Sequence, residues 1–427
     1  MAFVLGVIAL RLALEFGYFV YVSPLHAYAG FTLDFNLIKY SESWILMGLA
    51  LWLVPTKMLR PSDFIIALGF FGLIVPVLSL YGLANLGQWI IYSVLFQFVL
   101  LCIFRAGPRL SLPTVPGGPT AAMVLLFGSA ISLTAWYVAS GGLNTLNFDF
   151  TRVYEFREEA GAVTAPGILG YINTWVWTVT GPLLLTIALW RRWWLIAVFV
   201  IASQVFWFAV TSHKAVLFYP LIVIAAWFWF QRSRGLSVIP LGFAVIAVAS
   251  SCLYLITSDQ QAASLFVRRS FYVIAYNTFD YFHFFSENPK VWWSTSNLTL
   301  GLMDPIYDGS PAKVIGVWRD TLSHANNSFL SLSYAHAGII GMVLYPLIAG
   351  LLLRLVDSAA YGPLPTWVAL GAIVVPCRAL MLSADLPTAF LTEGIAVGIL
   401  MLILLKPRSS EAGFTATRLD TATGRPP

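Results

Sequence analysis

An all-α integral membrane protein is the fold class this sequence predicts, and three observations predict it. Only 10% of the 427 residues are charged and 59% are hydrophobic. Soluble proteins average about 25% charged and 45–50% apolar residues, so a soluble globular enzyme is excluded. The apolar runs recur from Met1 to Leu405, which excludes a signal peptide ahead of a soluble domain. Within each run the apolar residues are continuous rather than alternating, which excludes a membrane β-barrel.

A spanning helix needs about 20 apolar residues, and runs of that kind place about 12 spans. They are 3–22, 42–56, 63–82, 87–104, 120–139, 168–190, 193–211, 214–230, 237–256, 327–353, 366–382 and 388–405. Together they form one polytopic membrane domain, 1–408, with a large outer loop at 257–326 between spans 9 and 10. The first run has no basic leader and no small-residue cleavage site, so it reads as an uncleaved span. The polar tail, 409–427, is expected to be disordered. Cys102, Cys252 and Cys377 lie in or beside apolar runs and read as small hydrophobes rather than a disulfide or metal framework.

Basic residues set the orientation. Lys57, Arg60, Arg105, Arg109, Arg191, Arg192, Arg232, Arg234, Arg354, Lys406 and Arg408 sit tight against span ends in one set of loops. By the positive-inside rule those loops, and both termini, are cytoplasmic. The net charge of +5 is thus orientation chemistry and implies no nucleic acid. The outer face still carries Lys39, Arg152, Arg157, Lys214, Arg268, Arg269, Lys290, Lys313, Arg319 and Arg378. Loop solubility accounts for these, and so does a site for an anionic, membrane-anchored ligand.

Charged positions follow in order along the chain. Arg11 and Glu15 are one helical turn apart inside the first span and are expected to neutralise each other. In the 140–167 loop, Arg152 and Arg157 fall at helical spacing with Glu155, Glu158 and Glu159. Pairing on a surface helix and ligand contact are equally open there. Lys214 follows His213 in a very short outer turn, as a snorkelling anchor or a phosphate contact. In RRSFYVIAYNTFDYFHFF, Arg268, Tyr272, Tyr276 and Asp280 recur every four residues. That is a polar stripe on an amphipathic helix, expected in the interface plane. Its aromatics suit an interfacial belt or stacking on sugar rings.

The large loop ends WRDTLSHANNSFLSLSYAHAGIIG. Arg319, Asp320, His324, Asn326 and Asn327 gather there, directly before a long apolar span. Asp320, Ser323 and Asn326 are each suited to cap a helix. Capping does not explain His324. A neutral imidazole accepts a proton near pH 7, which makes His324 the candidate base. His336, close to Gly338 and Gly341, reads as a packing or hydrogen-bonding histidine. Arg378 lies inside a span with Asp385 seven residues on. Pairing between the two is favoured, and an arginine pointing into an anionic site is compatible with it.

These segments, in this order, resemble the bacterial oligosaccharide repeat-unit polymerases (O-antigen polymerase, Wzy type), relatives of the O-antigen ligases. SHKAVLFYP resembles their short basic turn, and RRSFYVIAYNTFDYFHFF their Arg-led aromatic segment. SHANNSFLSLSYAHAGIIG resembles the His/Asn-to-Gly-x-x-Gly approach shared with the ligases, and SADLPTAFLTEG fits the ending. The resemblance covers the second half of the chain, and the first half agrees by hydropathy alone. Lys214 stands where ligases usually carry Arg, which favours a polymerase. The paired arginine-loop arrangement of some polymerases is only approximate here.

The resemblance implies a GT-C-like polytopic architecture in the bacterial inner membrane. It implies a glycosyltransferase that polymerises undecaprenyl-pyrophosphate-linked repeat units on the periplasmic face, for O-antigen, capsule or exopolysaccharide. The implied partners are those lipid-linked oligosaccharides, the bilayer and a chain-length-regulating co-polymerase, without nucleic acid. No cofactor or metal is called for, because arginines supply the positive charge at the leaving pyrophosphate. The site is then His324 and Asp320 for catalysis. Arg268, Arg269, Lys214, Arg319, Arg378, Arg152, Arg157, Tyr272, Tyr276 and Asn327 are expected on pyrophosphate and glycan. An O-antigen ligase is the first alternative. A lipid-linked oligosaccharide flippase or other transporter is the second, although the internal repeats and midplane charges usual in transporters are not evident.

Overall fold

Helices satisfy their own backbone N–H and C=O groups, which is what continuous apolar runs require in lipid. The computed structural model describes residues 1–144, 146–148, 168–296, 299, 302–321, 323–362 and 364–406. Arg152, Arg157 and the 409–427 tail lie outside the described residues. Among those residues there is no strand, only an isolated bridge between Lys57 and Gly235. Among the described residues, nine helices are long and apolar enough to cross a membrane: Ala2–Ala29, Pro61–Leu83, Gln88–Arg105, Gly118–Ala139, Ile168–Arg191, Trp194–Thr211, Val238–Thr257, Phe329–Ala359 and Leu386–Leu404. Their outward faces carry side chains such as Leu195 and Ile256, 88% and 82% exposed, which suit lipid and not water. This is a membrane-embedded, all-α protein.

Three of the expected spans take other forms. The run placed at 42–56 is the 15-residue helix Leu37–Leu51. At 1.5 Å per residue that is roughly 22 Å, short of the roughly 30 Å hydrocarbon core. Lys214–Phe230 has 17 residues and carries Pro220 inside. The run placed at 366–382 divides into Thr366–Gly371 and Val374–Leu382. Both pieces are buried almost throughout. Broken backbone at membrane depth is tolerated where protein, not lipid, surrounds it.

The bundle has two chemically different ends. At one, Met58 N–H donates to the Arg234 carbonyl at 2.7 Å, and Arg105 pairs with Asp63. The same end holds Asp357, which accepts from Ser62 Oγ at 2.6 Å. The basic loops therefore converge there. The opposite end carries the described residues of the 257–328 segment. Inside the bundle, Arg11 Nε meets Glu15 at 2.8 Å and its guanidinium lies 4.1 Å from the Trp44 ring centre. The expected pairing within the first span is present, fully buried.

Residues 261–287 form helix, as expected, but not one lying loose on an interface. Val267, Phe271, Tyr272, Phe279, Phe282 and Phe285 are buried against the bundle. Ser264–Tyr272 is wound as π-helix, with its wider i→i+5 turn. That rotation breaks the four-residue stripe. Tyr272 turns into the core, 3.2 Å from Ser79 Oγ, while Arg268, Tyr276 and Asp280 stay on the polar side.

The Phe329–Ala359 helix is broken at Ala337 and Gly338. Gly338 has φ +56° and ψ −135°, a conformation open to glycine and strained for other residues. Beyond it, 339–359 is long enough to span by itself. A Cβ on Gly341 would collide with the Ser333 carbonyl oxygen across the break. Gly341→Ala is therefore expected to destabilise the fold by about 1–3 kcal/mol through backbone displacement. A lowered unfolding midpoint in detergent checks this, and an unchanged midpoint contradicts it.

Candidate functional site

The helix break and the segment 288–296 build the site together. Pro289 and the turn after it bring Trp292 N–H to the His336 carbonyl at 2.9 Å. Trp293 N–H donates to His336 Nδ1 at 3.3 Å, which leaves the ring proton on Nε2. Nε2 donates to Asp385 Oδ2 at 2.9 Å. The imidazole stacks beside Trp293, whose indole N–H donates to Tyr345 at 2.7 Å. His336 is thus locked in place and tautomer, 2% exposed.

Asp385 is fixed from the other side as well. It is the N-cap of the next helix, with Oδ1 accepting from Leu386 N–H at 2.8 Å. Such a carboxylate is favoured at a helix N-terminus. The pair lines a cavity of about 570 Å³ together with Glu393, Tyr281, Thr388, Thr392 and Asn326. Hydroxyls, amides and carboxylates share this lining with apolar side chains such as Leu332 and Leu391. Arg378 is half-buried behind it, and its charge acts on Glu393 and Tyr219.

A cationic cluster stands across the 261–287 helix. Arg319 is 3.1 Å from Asp280, donates to Asn277 Oδ1 and the Ala29 carbonyl at 3.0 Å each, and covers the Tyr276 ring. Arg268 lies over Phe31, and its Nε is buried with no hydrogen-bond partner among the described residues. An orphaned guanidinium donor is costly unless an anion completes it. Burial lowers the proton affinity of Arg268, and its neighbours Arg269 and Arg319 act in the same direction. The helix also joins the two regions: Asn277 donates to the Asn326 carbonyl at 3.2 Å, and Tyr281 to that of Ala325 at 3.1 Å.

Asp280 is 7% exposed, and burial raises its carboxyl to about 7 although Arg319 pulls the other way. An unfolded aspartate titrates near 3.9. The proton is therefore held more tightly in the fold, so the contribution of Asp280 to stability is full below about pH 4. That contribution is lost as pH rises through about 7. Asp280→Asn is expected to flatten the fall in stability between pH 5 and 8. Melting curves across that range check it, and an unaltered slope contradicts it.

The expected residues separate into groups. Arg268, Arg319 and Tyr276 come together. Arg269 is exposed on the next position. Tyr272 is core, closed off from any ligand. Asn327 borders the cavity, but its amide is used on Thr278, Ser331 and Ser328 N–H. Lys214 is half-buried at the start of its helix, beyond the left-handed Ser212. His324 and Asp320 are exposed and are not in the cavity lining. Ser328, rather than Asp320, Ser323 or Asn326, caps the Phe329 helix.

Asp385 pairs with His336, not with Arg378, because the helix does not continue through it. Leu386-Pro387 starts a new helix at Asp385. That Asp-x-Pro pattern signals a helix start at Asp385 and argues against its pairing with Arg378 along one helix. No protein-family model matches this chain, and comparison with curated proteins and with solved structures finds no similar one.

Proposed function

We propose that this protein is a membrane glycosyltransferase that polymerises lipid-pyrophosphate-linked oligosaccharide repeat units on the non-cytoplasmic face of a bacterial inner membrane. One observation carries the reading. A polar cavity holding a locked His336–Asp385 pair lies at the end of the bundle opposite the basic loops, with Arg268 and Arg319 across one helix. Positive-inside orientation puts that end outside, where lipid-linked sugars reside.

The chemistry follows from the groups. An acceptor hydroxyl attacks C1 of the donor sugar and gives its proton to Asp385 Oδ2. The C1–O bond to pyrophosphate breaks, and the lipid pyrophosphate leaves with the electron pair. Arg268 and Arg319, outside the cavity lining and across one helix from it, favour the negative charge that grows there through their field. His336 is a positioning residue. Its N–H holds the carboxylate in one orientation, as the Trp293 amide holds the ring. The hydroxyls and amides in the lining suit sugar hydroxyls.

A deletion strain tests the reading through its lipopolysaccharide or capsule banding. Glycan reduced to a single repeat unit is expected. Banding of parental length, or core with no repeat unit at all, contradicts it.

A further inference from the structure

The opposite, basic end holds a second cavity, of about 850 Å³, that the glycan reading does not use. Arg192, Arg232 and Arg234 line it with Trp194, Trp227 and Trp367, and no carboxylate is among the lining residues. Two other arginines of this end are neutralised: Arg105 sits on Asp63, and Arg60 is 4.0 Å from Asp357. The three around the cavity have no ion-pair partner among the described residues, and only Arg232 reaches a carbonyl, that of Phe228 at 3.3 Å. Arg192 ends its helix in the left-handed conformation at φ +58°, and two residues later the Trp194–Thr211 helix begins without a side-chain cap. The positive end of that helix adds to the field of the guanidinium groups.

We infer that this cavity binds the phosphate headgroup of an anionic phospholipid. Two features select a lipid over a free phosphate. Tryptophan in the lining is the residue of the bilayer interface. Trp194, Leu195 and Val198 continue from the cavity as an outward apolar track, 54%, 88% and 65% exposed, along which acyl chains can lie. Three arginines at one headgroup match a juxtamembrane basic site for acidic lipid.

The test is lipid retention by the full chain in neutral detergent, measured by native mass spectrometry with phosphatidylglycerol or phosphatidylcholine added. The parent is expected to retain phosphatidylglycerol at least tenfold more strongly. Arg192→Gln with Arg234→Gln is expected to lower that affinity about 25-fold, fivefold per arginine. Arg232 is left in place so that the orientation signal persists. Equal retention of the two lipids by the parent overturns the inference without using any variant. So does unchanged phosphatidylglycerol binding by the double variant, and so does displacement by millimolar inorganic phosphate, which would mark a free-phosphate site. None of these outcomes depends on glycan transfer.

Discussion

Asp385→Asn is expected to slow glycan elongation by about 10²–10⁴-fold, the usual worth of a general base. The amide keeps the size of the carboxylate and can still cap the following helix through its carbonyl oxygen. It cannot take the proton from the acceptor hydroxyl. His336→Gln tests the partner. It removes the stacked ring and the Nε2–H held 2.9 Å from Asp385. A positioning role predicts a smaller loss, on the order of tenfold, together with a displaced pH profile that a purely structural role would not produce. His324→Ala serves as the control. His324 is exposed and outside the cavity lining, so near-parental rates are expected. A large loss at His324 with little at Asp385 would reverse the assignment of the base.

The second large effect lies in the cationic cluster. Arg268→Ala is expected to lower elongation by about 10²–10³-fold, as loss of one transition-state charge donor does. Arg269→Ala is expected to be mild. The two are adjacent in sequence, but only Arg268 is drawn in over Phe31 with a buried Nε that has no partner among the described residues. Arg268→Lys should rescue part of the activity, because Lys restores the charge but not the planar fork. Equal losses at Arg268 and Arg269, at equal protein levels, would remove the distinction the burial implies.

Much of the fold was legible because hydropathy is a long-range, low-resolution signal. Twenty apolar residues must be helix in lipid whatever their order. Most span limits fall within a few residues of the runs, and Arg11–Glu15 pair as their one-turn spacing requires. The exceptions have local causes. Thr366–Leu382 breaks inside protein, where lipid no longer enforces continuous helix. The Ser264–Tyr272 stretch winds as π-helix, so counting by fours put Tyr272 on the wrong side of it.

The site was legible only by region. Three of its segments, around 268–281, 319–336 and 378–393, stood out by polarity next to apolar runs. Their pairing did not. Arg378 and Asp385 share a face only in an unbroken helix, and Pro387 argues against one. His336 looked like packing because nothing in the sequence places Trp293 under it or Asp385 beside it. Those contacts arise from the break at Gly338 and the left-handed turn at Trp292 and Trp293, with φ +51° and +58°. Both are tertiary features that no periodicity reports.

The central claim is transfer between lipid-linked glycans at the His336–Asp385 end of the bundle. Its most direct test is the purified protein in nanodiscs with undecaprenyl-pyrophosphate-linked repeat units as both donor and acceptor, products being resolved by length. A ladder of extended glycans, with one lipid pyrophosphate released per unit added and both lost in Asp385→Asn, is the expected result. Repeat units that stay single in the presence of intact, folded protein, or a ladder undiminished in Asp385→Asn, would contradict the account.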